Sequence, residues 1–115
     1  MADIHSSMKY EVFYGKGMKR VKERLPDLYE SIASLNESVF NGTTLDYKTQ
    51  KLIAIGIAAS RCDSDATKKQ MRSSMNELDV TEDEIIDVLR VVLLLSGMPA
   101  FNQGMRLLDE ITSEK

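Results

Sequence analysis

The only cysteine of this 115-residue chain, Cys62, stands in the run Arg61-Cys62-Asp63-Ser64-Asp65. A thiol there could attack a peroxide or a disulfide, because the thiolate is the nucleophile and the start of a helix favours it. Its neighbours act in opposite senses: Arg61 favours the thiolate, and Asp63 and Asp65 oppose it by like-charge repulsion. Three residues on, where a dithiol enzyme would keep its second thiol, the chain has Asp65, so a sulfenic acid on Cys62 would need an external thiol to resolve it. The other reading of Cys62 is a partly buried packing residue without chemistry.

A second set of side chains is cationic. Lys51, Arg61, Lys68, Lys69 and Arg72 could hold carboxylates and supply a proton to a carbanion if several faced one pocket; the ordinary alternative is a solvated helix face. Metal chemistry is not expected, because there is no Cys/His cluster and the acids Asp63, Asp65, Asp83, Glu84 and Asp87 fall in exposed or capping positions. Phosphate-loop and dinucleotide motifs are absent, so no cofactor is expected. Ser60, Ser64 and Ser96 have no neighbouring base, and the single histidine, His5, lies far from these residues in sequence.

The elements that must position these residues read as helices. A composition of 43% hydrophobic and 6% aromatic residues, with seven Met and no Trp, predicts an all-α chain of about six helices. Its length suits one domain over residues 9–115 after a flexible lead-in over 1–8. From Lys9 to Arg24, Gly15 and Gly17 allow one short or broken helix. Pro26 then opens a helix to about Val39, with Leu28, Ile32, Leu35 and Val39 at helical spacing. The next, from about Asp46 to Arg61, is apolar almost all round and should be buried on most sides. A more polar helix from Asp63 to about Leu78 carries an apolar line of Met71, Met75 and Leu78. Thr81-Glu82-Asp83-Glu84 reads as a capping box and starts a helix to about Ser96, so its VVLLL run is helical despite its strand-like composition. Gly97 and Pro99 separate this from a last helix to about Ile111.

Net charge is -3, yet Lys9, Lys16, Lys19, Arg20, Lys22 and Arg24 make the N-terminal segment basic. Without interleaved aromatics this gives no nucleic-acid code, and a solvated face or a docking surface for an acidic neighbouring subunit is the expectation. A lone cysteine excludes an intrachain disulfide and suits a reducing cytoplasm. The opening MADIHSSMKY has no apolar signal core and no run is long enough to span a bilayer, so a cytoplasmic location without membrane contact is expected.

In order and wording, LDYKTQKLIAIGIAA followed by LDVTEDEIIDVLRVVLLLSGMPAFNQGMRLL resembles the carboxymuconolactone decarboxylase family, which includes the alkylhydroperoxidase D-like proteins. Leu45, Asp46, Thr49, Leu52, Ile53, Thr81, Glu84, Ile85, Gly97, Pro99, Ala100 and Asn102 stand at the family's pattern positions. The resemblance implies the alkylhydroperoxidase D-like helical fold, assembly into a homotrimer or homohexamer, and either thiol-dependent peroxidase and disulfide-reductase activity or lactone decarboxylation. It also implies a site. Cys62 falls on the first thiol of the family's C-x-x-C pair and Asp65 on the second. Gln50 or Lys51 takes the place of its upstream Glu, and Lys69 or Met71 that of its His, according to which motif anchors the register. The candidate pocket is therefore Gln50, Lys51, Asp65, Lys69 and Met71 about a catalytic Cys62. A protein on the same fold that binds a ligand or assembles without catalysis is the alternative, and decarboxylation lacks its His.

Overall fold

The computed structural model describes residues 17–114. Among them there are six helical segments and no strand. We label α1 the helical stretch over 17–24, then α2 (Pro26–Val39), α3 (Tyr47–Ser60), α4 (Ser64–Glu77), α5 (Glu82–Ser96) and α6 (Met98–Ser113). None is long and apolar enough to cross a membrane. The expected lead-in over 1–8, His5 and the break at Gly15 lie outside the described residues. The chain divides into two compact units, residues 1–47 and 48–115.

In the first unit the turn from α1 to α2 is closed by the Leu25 N–H donating to the Val21 carbonyl at 2.7 Å. Pro26 follows at the start of α2, where its missing N–H costs nothing. Tyr29 and Ala33 are buried, with Met18, Val21 and Ile32 packed against them, and the Lys22 ammonium lies 5.5 Å from the Tyr29 ring centroid. Leu28, Leu35 and Val39, three of the four residues of the expected apolar line, are exposed; α2 buries the line Tyr29, Ala33, Asn36 instead. One position of helix register is about 100° of rotation, so the choice of face turns on which line offers the better fit, and small Ala33 admits close packing.

The second unit is built around α6. Its strongly amphipathic face, Ala100, Leu107, Leu108 and Ile111, joins Ile55 and Ala59 of α3, Met71 of α4, Val80, and Ile85, Leu89 and Val92 of α5 in one core. Gly104 lets α5 and α6 approach, since a Cβ there would meet Leu89 Cδ2 at 2.6 Å. Gly56 does the same for α3 and α5, where a Cβ would lie 3.2 Å from Val88 Cγ1. Lys68 to Glu110 at 3.3 Å and Arg72 to Glu114 at 2.6 Å tie α4 to α6 across the surface.

Helix ends follow their sequence signals. The Thr81 hydroxyl accepts from the Glu84 N–H at 3.1 Å while the Glu84 carboxylate accepts from the Thr81 N–H at 2.9 Å, completing the capping box. That backbone N–H, with Lys48 3.3 Å away in support, holds the Glu84 carboxyl below its ordinary value. Gly97, at φ 94°, makes the break between α5 and α6 in a backbone region that side chains other than glycine's rarely adopt.

Candidate functional site

The residues singled out for chemistry fall into two regions at opposite ends of α3. Cys62 is exposed and follows the last residues of that helix. The Cys62 N–H donates to the Ala59 carbonyl at 3.0 Å and the Asp63 N–H to the Ala58 carbonyl at 3.2 Å. These two bonds form a Schellman motif, in which the left-handed position after the helix falls on Cys62 itself, at φ 56°. Glycine is the usual residue there, because a Cβ in the left-handed region costs roughly 1–2 kcal/mol. The structure therefore corrects the packing alternative: Cys62 is a surface residue in a conformation that disfavours side chains.

The next residue begins α4. Asp63 Oδ1 accepts from the Ala66 N–H at 3.1 Å, and its carbonyl accepts from the Thr67 N–H at 2.9 Å and the Thr67 hydroxyl at 2.6 Å. The Asp63 carboxylate is thus aimed at the first turn of α4, and Asp65 beyond it is exposed.

At the other end of α3, Lys51 is only 1% exposed. Its ammonium donates to Gln70 Oε1 of α4. Burial pushes the Lys51 amine down from 10.5 to about 8, while the charge of Glu77 works in the opposite sense. Gln70, Ser74 and Glu77 stand at i, i+4 and i+7 of α4 and so share one line of that helix. Ser74 is fully buried, and its Oγ has no hydrogen-bond partner among the described residues. Met71, one step round the helix, faces the core and is fully buried. Gln50 and Lys69 are half-buried. Of the other cations, Lys68 and Arg72 are engaged with acids of α6, so they do not gather about Lys51.

At 1.5 Å of rise per residue, Lys51 and Cys62 are separated by roughly 16 Å along α3. Lys51 therefore cannot act as the base for the Cys62 thiol, and the two regions are chemically independent.

Residues 26–110 match the carboxymuconolactone decarboxylase family, a span that runs from the start of α2 into α6. The chain belongs to the carboxymuconolactone decarboxylase family. It is 65% identical over 104 residues to uncharacterized protein MJ0742 of Methanocaldococcus jannaschii, covering 90% of this chain and 100% of that protein. It is also 36% identical over 95 residues to uncharacterized protein MJ1511 of the same organism, covering 83% of this chain and 88% of that one.

Within this family member, the two registers that put Lys69 or Met71 opposite the upstream position pass over the residue between them. It is Gln70 that meets Lys51. Ser74 was missed as well. The signal available in the sequence was the polar line Gln70, Ser74, Glu77, beside the apolar line of Met71 and Met75.

A third feature is the face shared by α3 and α5. Ile53, Ile57, Val91, Leu94 and Leu95 are each about half exposed or more, with Leu94 at 82%. Between the helices runs an open groove of about 430 Å³ whose only polar side chains are Thr49, Ser60 and Ser96. The expectation that α3 is buried on most sides thus holds for Lys51, Ile55, Ala58 and Ala59 and not for Ile53 and Ile57.

Proposed function

We propose that this family member is a thiol-dependent reductase of peroxides or disulfides acting through Cys62, with an external thiol as reductant, in a reducing cytoplasm. The observation that supports this reading best is the placement of an exposed thiol at a position where the backbone favours glycine. A conformational cost retained at a reachable nucleophile points to use of that nucleophile.

The chemistry needs one protein thiol. The Cys62 thiolate attacks the nearer oxygen of a hydroperoxide, the O–O bond breaks, and the departing alkoxide takes a proton and leaves as an alcohol. The resulting sulfenic acid condenses with the external thiol to a mixed disulfide and water. A second external thiol then displaces Cys62 and leaves as the oxidised disulfide. Asp63 does not block this approach, because its carboxylate is turned to the amides of α4.

The test is to expose the protein to a stoichiometric hydroperoxide and trap the product with a sulfenic-acid reagent, followed by peptide mass spectrometry. The expected result is a trapped adduct on Cys62 that is lost when a small thiol is added first. Cys62 recovered unmodified, with no consumption of peroxide, contradicts the reading.

Assembly into a homotrimer or homohexamer belongs to the same proposal. The exposed apolar face of α3 and α5 supports it, since contiguous apolar patches larger than a few hundred Å² are uncommon on monomers. Sedimentation of the native protein and of a Leu94→Glu variant is the check: the variant should fall to a smaller species, and a native monomer contradicts the proposal. The same groove favours the second reading, an uncatalytic ligand-binding or assembly module, which inert Cys62 in an intact oligomer would support.

A further inference from the structure

Two apolar faces stay open when the chain is folded, and they differ in shape. One is a ridge: Leu28, Leu35 and Val39 stand on one side of α2, each about half exposed or more, with Leu25 at its foot. The other is the groove between α3 and α5, whose floor is closed where Gly56 lies against Val88 and whose walls carry Ile53, Ile57, Val91 and Leu95. The same number of residues separates Leu28 from Val39 and Thr49 from Ser60, so ridge and groove are each roughly 16 Å long.

We propose that the α3/α5 groove receives the α2 ridge of a second copy of this chain, so that copies join head to tail; this rests on the chain assembling as proposed. Two grooves set face to face would leave their hollows unfilled, whereas the side-chain row of one helix fits between the rows of others. The two faces offer roughly 900 Å² of apolar surface to one contact, and at the usual apolar share of about 57% that makes an interface of roughly 1,600 Å², the size of a standard stable one. Each copy carries one ridge and one groove, so a closed ring covers both faces of every copy.

Charge sets the direction of entry. Lys48 meets Glu84 near the starts of α3 and α5, and Ser60 and Ser96 line the groove's other end, so these helices run the same way and their negative ends lie together. An antiparallel α2 sets its positive start against those ends, with Asp27 brought toward the exposed Arg61. In that direction Leu28 lies by Ser60 and Leu35 by Ile53.

The experiment sediments the full chain, then Leu35→Glu and Ile53→Glu separately and mixed, with helicity followed by circular dichroism. Both positions are about half exposed, so both variants are expected to keep native helicity. Each alone should fall to a smaller species, because one has lost its ridge and the other its groove. Mixed in equal amounts they should associate one to one, the intact ridge of Ile53→Glu entering the intact groove of Leu35→Glu, and neither should grow without the other. Native assembly retained by Leu35→Glu, or no association on mixing, overturns the proposal. The first of these results leaves assembly itself standing, whereas a native monomer removes both.

Discussion

Cys62 and Lys51 stand toward opposite ends of α3, and their surroundings are opposite in kind. The thiol is reachable: it stands on the surface in a left-handed turn that glycine would occupy more comfortably. The amine is sequestered: it is held by Gln70 within the protein, where loss of hydration favours its neutral, nucleophilic form. One helix thus places one of these side chains in the open and the other out of water, and a single pocket containing both is ruled out by the length of helix between them.

The largest effect that separates the two regions should come from Lys51→Met. Between about pH 8 and 10.5 the unfolded chain holds a proton on this lysine that the folded protein has given up, so stability rises with pH across that window. Below about pH 8 the full cost of burying the charge, up to about 3 kcal/mol, is present. Replacing the amine by a thioether of similar length should therefore raise stability at pH 7 by about 2 kcal/mol, after about 1 kcal/mol is lost with the Gln70 hydrogen bond. The gain should vanish at about pH 10 and become a small loss above it in denaturant titrations. A gain independent of pH would mean that Lys51 is not buried as an ammonium.

At the Cys62 end the changes should be smaller. Asp63→Ala removes the side-chain acceptor for the Ala66 N–H and should cost about 1 kcal/mol, read from the shift in denaturation midpoint. Cys62→Gly relieves the left-handed conformation but loosens the unfolded chain, so a net gain of about 0.5 kcal/mol is expected. A loss on that substitution would show that the Cys62 side chain makes a stabilising contact and would narrow the contrast with Lys51.

Local signals in the sequence carried most of the fold. Pro26, the Thr81–Glu84 box, Gly97 and Pro99 act on their own neighbours, and the helices begin and end within a few residues of where those signals place them. The start of α4 differs by one residue because Asp63 caps the helix from outside it. What depends on packing between helices was less legible. Periodicity pointed to Leu28, Leu35 and Val39, but the line of α2 that is buried lies one register away at Tyr29 and Ala33. Likewise, a gap of one or two residues between motif anchors cannot be placed by counting, and the partner of Lys51, Gln70, is fixed only by how α3 and α4 pack. Cys62 was ambiguous for another reason: whether a cysteine at a helix end is packed or exposed depends on the turn it adopts, and nothing in Arg61-Cys62-Asp63 announces a left-handed residue.

The separation of the two sites is tested most directly by peroxide turnover with a small-thiol reductant, measured side by side in the native protein, Cys62→Ser and Lys51→Met. The account predicts that Cys62→Ser abolishes turnover while Lys51→Met retains it within about twofold. Turnover that survives loss of Cys62, or that disappears with Lys51 in a variant folded as the native protein is, would contradict it.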